Sequence, residues 1–206
     1  MLFDILAFVS FLIILMMLKK LVGVFPSLMA CLIRSKESIN LEASTQLSRD
    51  RNILAISMIL PFCLITWEDG LYMPKFMEGC NENIRFCIIF GIFLSYVSIR
   101  KALEYILRPK VMNSKIYTTA CRAGRTFFSL LTLTLLAMAG IMSFIDTPIE
   151  TVRHAMLWVS ASIYLIYLLR KTQILTSSAS FFAAFLYLCA LEFIPTGALI
   201  ASAIIF

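Results

Sequence analysis

Long apolar stretches alternate along this chain with short segments that hold nearly all of its charge. Six stretches approach the roughly 20 residues that a membrane-spanning helix needs: Leu2 to Leu18, Ile53 to Trp67, Arg85 to Ile99, Thr126 to Ile145, Ala155 to Leu169 and Phe181 to Phe206. Several are short, so flanking residues must lengthen the helix or the bilayer must thin. A seventh patch, GVFPSLMACLI (Gly23 to Ile33), follows Lys19 and Lys20 and is interrupted by Pro26. Two placements are open for it: flat along the membrane interface, or as an extension of the first helix. The pattern predicts an all-α integral membrane protein, a bundle of about six transmembrane helices forming a single domain over residues 1–206.

The basic residues set an orientation, because lysine and arginine concentrate in cytoplasmic loops. Lys19, Lys20, Arg34, Lys36, Arg49 and Arg51 fall in the first connection, Arg100, Lys101, Arg108, Lys110, Lys115, Arg122 and Arg125 in the third, and Arg170 and Lys171 in the fifth. The second and fourth connections hold only Lys75, Arg85 and Arg153, among the acids Glu68, Asp69, Glu78, Glu82, Asp146 and Glu150. The odd-numbered connections are therefore expected in the cytoplasm and both termini on the outer side. Within the first run the apolar residues Ile5 to Leu18 are preceded by Asp4 rather than by lysines and followed by Lys19 and Lys20 with no small-residue cleavage site, so the segment reads as a retained helix and not as a secretory signal.

Composition agrees with this class: 61% of the residues are hydrophobic and 15% charged, against about half and a quarter in soluble domains. The net charge of +6 belongs to the basic connections, where it orients the chain and attracts anionic lipid headgroups. Those segments carry no nucleic-acid-binding motif. The expected partners are the lipid bilayer and either a membrane-protein partner or further copies of the chain. The first connection, RSKESINLEASTQLSRDRN, reads as a short interfacial helix or a docking segment. ALEYILRPKV (Ala102 to Val111) reads as a continuation of the third helix that Pro109 ends.

Chemistry is sparse. The six cysteines form no CxxC pair, and only Cys80 and Cys87 are expected together on the outer side. His154 is the sole histidine, and there is no HExxH, GxSxG, phosphate-binding loop or dinucleotide fingerprint. No metal or cofactor is expected. The unusual feature is Glu192, alone in the last run with Pro195 close behind it. On a helix Cys189, Glu192 and Thr196 share a face, and Pro195 withholds the amide that the Leu191 carbonyl requires.

A charged acid near the bilayer centre costs about 2.5 to 3.5 kcal/mol on insertion scales, which favours a neutral, hydrogen-bonding form. No lysine or arginine lies in the interior of another run, so neutral partners at mid-depth are expected. The first choices are Ser160, Ser162 and Tyr164 of the antiparallel fifth run, where Ser160 and Tyr164 share a face. Tyr96, Ser98, Ser129, Thr132 and Ser143 are further candidates. The site reads either as a proton relay or subunit docking point, or as a buried acid that fixes helix register. Gly197 with Ala201, Ala198 with Ser202 and Ala139 with Ser143 add spacings that let helices approach closely.

The segments CLIRSKESINLEASTQLSRDRN, YLLRKTQILTSSAS and FLYLCALEFIPTGALIASAIIF resemble a Bacteroidota family of small polytopic membrane proteins, domain of unknown function 4271. The family's terminal pattern F-L-Y-x-C-x-L-E-x-x-P is similar to Phe185, Leu186, Tyr187, Cys189, Leu191, Glu192 and Pro195 here. The resemblance implies the inner membrane of a Gram-negative cell and a periplasmic outer side. It brings no activity, cofactor or catalytic residue. The expected function is a non-enzymatic inner-membrane subunit or accessory factor of an envelope assembly. The alternatives are a small transporter or proton-coupled carrier using Glu192 and, resting only on the basic connections with Tyr105 and Arg108, a lipid-processing enzyme.

Overall fold

A computed structural model describes residues 2–77, 79–107, 114–145 and 147–205. Arg108, Pro109 and Lys110, the expected end of the third helix, lie outside them, as do Glu78, Asp146 and Phe206. Among the described residues there is no strand, and the chain runs through α1 (Leu2–Ile33), α2 (Ser35–Ala43), α3 (Thr45–Ser57), α4 (Ile59–Glu68), a short 3-10 turn (Lys75–Met77), α5 (Glu82–Ile106), α6 (Ser114–Phe144), α7 (Ile149–Thr176), α8 (Phe181–Leu188), a π-helical turn (Cys189–Phe193) and α9 (Ile194–Ile205). Six helical stretches are long and apolar enough to cross a membrane: α1, α3 with α4, α5, α6, α7, and α8 through α9. This is the architecture of a multi-pass membrane protein. Its flanks fit it, since Phe8, Met16, Val22, Trp158 and Leu169 are exposed apolar side chains.

The helices outlast the apolar runs. At 1.5 Å per residue the 32 residues of α1 span roughly 48 Å, well beyond a bilayer's hydrocarbon. The Gly23 to Ile33 patch is thus the extension of the first helix, with Pro26 inside it. Its Val24 and Leu28 are buried against Leu54, Met58 and Leu130. The first connection is likewise helical: α2 and the opening of α3 meet at Ser44, whose hydroxyl accepts from the Leu47 amide at 3.4 Å. This N-cap satisfies one of the donors a helix start leaves open.

The expectation that Lys19, Lys20, Arg49, Arg51, Arg100, Lys101, Arg170 and Lys171 lie in loops is therefore corrected, since every one is helical. Lysine and arginine are good helix formers, so the backbone continues its hydrogen bonding where hydropathy falls. Two of these side chains, Arg51 and Lys171, are only 1% exposed.

The extended helices build a cap of their own at this basic end. Tyr117, Ala120 and Phe127 of α6 pack with Leu168 and Ile174 of α7 and Leu188 of α8. Arg170 donates to the Leu32 carbonyl at 3.1 Å and to the Ile33 carbonyl at 2.7 Å, closing the C-terminus of α1 where carbonyls lack helical partners. The start of α1 and the end of α9 lie at the opposite end. Asp4 there lines a cleft with Asp69, Glu82 and Glu150, and the Tyr72 hydroxyl meets the Ser202 hydroxyl at 2.7 Å.

Candidate functional site

Arg100 follows the third apolar run by one residue, Lys171 follows the fifth by two, and Gly124 precedes the fourth by two. Bundling α5, α6 and α7 brings these positions to one level, and the last span meets them there with Glu192. A π-helical turn over Cys189–Phe193, in which the Ile194 amide reaches the Cys189 carbonyl, carries Glu192. Such single-turn expansions insert a residue into the helix and re-aim its side chains. Pro195 follows immediately, buried in the first turn of α9.

Glu192 is fully buried. Its Oε1 accepts from Arg100 Nη2 at 2.7 Å, from Lys171 Nζ and from the Tyr167 hydroxyl. Tyr167 in turn accepts from Arg100 and from Lys171. One oxygen of one carboxylate therefore joins α5, α7 and the last span. The fourth wall is α6, where a Cβ on Gly124 would stand 2.7 Å from Arg100 Nη2. Glycine is needed here because the guanidinium occupies the space of a side chain.

Beyond the centre, Arg100 Nε lies 3.8 Å from Glu104, and the Tyr117 hydroxyl donates to the Glu104 carbonyl at 2.8 Å. Glu192 Oε2 is buried and, among the described residues, has no hydrogen-bond partner.

The expectation that the partners are neutral groups alone is corrected by this arrangement: the Tyr167 hydroxyl of the fifth run is such a partner, but the cations Lys171 and Arg100 join it. The cations come from just past the ends of neighbouring runs, where long side chains lay their stems along apolar surface and direct their heads elsewhere. Further neutral groups surround the backbone side of the site. Thr196 stands 3.2 Å from the Tyr96 hydroxyl and 3.2 Å from that of Tyr164, which also lies 3.4 Å from the Glu192 carbonyl. Ser162 bonds its own helix at the Trp158 carbonyl. Ser160 and Cys189, both half-buried, do not join the carboxylate. Tyr167 carried no signal beyond its i, i+4 spacing from Lys171, which places the two on one helix face.

A second charge centre sits in the cap. Glu42 of α2 accepts from Arg51 of α3 and, at 2.8 Å, from Arg122 of α6, and the Ser48 hydroxyl donates to it at 3.2 Å. Burial pushes the Glu42 carboxyl up, but the hydrogen bonds and charges of Arg122 and Arg51 outweigh it and hold it below the usual carboxylate range.

At the opposite end, a cleft of about 590 Å³ is lined by Asp4, Trp67, Glu68, Asp69, Glu82, Glu150, Arg85 and Arg153. Burial, with the Glu68 charge beside it, pushes the Asp69 carboxyl up to about 6. His154 is exposed near the start of α7, and all six cysteines, including Cys80 and Cys87, are free thiols.

The family model described as "Domain of unknown function (DUF4271)" matches residues 3–202, nearly the whole chain. The chain belongs to the DUF4271 family. No curated protein and no solved structure matches it. The match takes in both charge centres of this DUF4271 chain and all six apolar helical stretches.

Proposed function

We propose that this chain is a multi-pass protein of the bacterial inner membrane, with both termini on the periplasmic side, that serves without catalysis as a subunit or accessory factor of an envelope assembly. The observation that carries this reading is the closure of the Glu192 centre. Glu192 is 0% exposed and Lys171 1%, and Lys171, Arg100 and Tyr167 converge on a single oxygen. These charges are engaged in holding helices together, and no substrate reaches them in this state. A partner surface is left on the far side of the same span: nothing lies within 4 Å of a Cβ built on Gly197, and Ala198 beside it is exposed. The orientation rests on the basic cap, which charge bias assigns to the cytoplasm.

The test is a photo-crosslinking residue at Ala198, activated in native membranes. A reproducible adduct with one membrane protein, or with a second copy of the chain, supports the subunit reading. Adducts with lipid alone contradict it. Cysteine labelling from outside the cell, positive at Glu150 and negative at Lys101, checks the orientation, and the reverse pattern overturns it.

A proton-coupled carrier is the second reading, favoured by the unpartnered Glu192 Oε2 on a π-helical turn. Ionisable groups within membrane spans often mark ion pathways. In proteoliposomes loaded with a pH-sensitive dye, this reading expects proton flux that Glu192→Gln abolishes. Equal flux in both proteins removes it.

A further inference from the structure

We propose that the groove between α2, α3 and α6 is a binding site for one anionic phospholipid. It has a volume of about 550 Å³, and its lining includes Glu42, Ser48, Arg49, Ile53, Ile56 and Arg122. These residues are ordered by depth. Arg49 lies four positions before Ile53, where the second apolar run begins, and Arg122 lies four positions before Thr126, where the fourth begins. Both arginines thus stand one helical turn outside the hydrocarbon, at headgroup depth, on two helices that face each other across the groove. From Arg49 to Ile56 the helix rises about 10 Å. The lining changes over that distance from cationic to aliphatic, and Ile56 is 70% exposed. A phosphodiester between the arginines would lay an acyl chain along Ile53 and Ile56, with charge and apolar surface complementary at both ends.

The cations are set up for an external anion. Arg51 is turned inward and engages Glu42. Glu42 anchors Arg122 by one guanidinium nitrogen at 2.8 Å, while that side chain remains 43% exposed. Arg49 is exposed on the outer side of α3. The groove therefore presents two positive groups with one held in place, which lowers the ordering cost of binding. A bare phosphate ion shares the headgroup chemistry but leaves the isoleucine half of the groove empty, so the lipid is the occupant that accounts for both halves. The proposal rests on the reading that this end of the bundle lies at a membrane surface.

The test is native mass spectrometry of the full chain in mild detergent with dioleoylphosphatidylglycerol, with dioleoylphosphatidylcholine and inorganic phosphate as comparators. The expected result is one saturable phosphatidylglycerol adduct, preferred over phosphatidylcholine and not displaced by phosphate. A cation in contact with the bound headgroup is worth about a factor of five toward anionic lipid, so Arg49→Gln should weaken retention about fivefold and Arg49→Gln with Arg122→Gln about 25-fold. The charge-matched pair Lys19→Gln with Lys101→Gln should leave retention unchanged. Arg49 is not part of the Glu42 ion-pair set, so its single variant tests the site even if the double variant folds poorly. Equal losses in the groove and control variants, equal retention of phosphatidylcholine, or displacement by phosphate would each overturn the proposal. A chain that inserts into phosphatidylcholine vesicles yet retains no phosphatidylglycerol refutes the site alone, whereas a chain that fails to insert refutes the membrane reading as well.

Discussion

Replacing Glu192 by Gln removes one charge and almost no volume, which makes it a clean probe of the buried centre. The amide oxygen still accepts a hydrogen bond, but Lys171 and Arg100 lose the carboxylate on which both converge. Lys171 is 1% exposed and cannot turn to water without unpacking α7 from Leu188 and Leu191. Arg100 retains Glu104, at 3.8 Å, so most of the penalty falls on the lysine. Breaking a buried ion pair by deleting one partner costs about 3 to 5 kcal/mol. The amide nitrogen adds donors to a site already crowded with them, which keeps the effect toward the upper end.

A neutral glutamate among hydroxyls would tolerate the same change with little loss, so the substitution separates the two accounts. Equilibrium unfolding of the purified chain in mixed micelles, followed by circular dichroism, measures the difference. A Glu192→Gln chain within about 0.5 kcal/mol of wild type would refute the argument.

Other consequences follow from single contacts. Gly124→Ala places a methyl 2.7 Å from Arg100 Nη2 and should destabilise by about 1 to 3 kcal/mol, as overpacking does; thermal unfolding checks it, and an unchanged melting temperature contradicts it. Asp69→Asn should stabilise the protein at pH 7 and not at pH 4. A carboxyl whose folded value is raised to about 6 binds its proton more tightly folded than unfolded, so wild-type stability falls as pH rises from about 4 to about 6. The melting-temperature difference between variant and wild type should grow across that window, and a constant difference counts against it. Ser44→Ala removes the cap of α3 and should cost about 1 kcal/mol, read by chemical unfolding.

The sequence made the number of spans legible because burial in lipid and burial in protein both demand apolar runs. It placed their ends poorly for a specific reason. Arg49, Arg51, Arg100 and Lys171 lower the local hydropathy, yet they continue the helix and in part point inward, so a hydropathy boundary is not a backbone boundary. The last two read along the chain as orientation signals and not as partners for Glu192, although the sequence does mark Glu192 itself as costly. The π-helical turn had only Pro195 to announce it, since a π turn has no composition of its own. The close approach of Gly124 to Arg100 depends on two helices meeting at one level, which no local pattern encodes. The Glu42 centre was hidden similarly, because its three members lie in α2, α3 and α6 and meet only in the folded cap.

The central claim is that a salt-bridged Glu192 locks α5, α7 and the last span together at the basic end of the bundle. A double-mutant cycle between Glu192 and Lys171 in lipid nanodiscs tests it most directly, using Glu192→Gln, Lys171→Met and the combination. Contacting charged residues couple by about 0.5 to 3 kcal/mol. The account predicts a value near the top of that range, with the double variant more stable than Glu192→Gln alone because it no longer buries an unpaired lysine ammonium. Additive losses, with the double variant less stable than either single one, would show that the two side chains do not meet and would contradict the account.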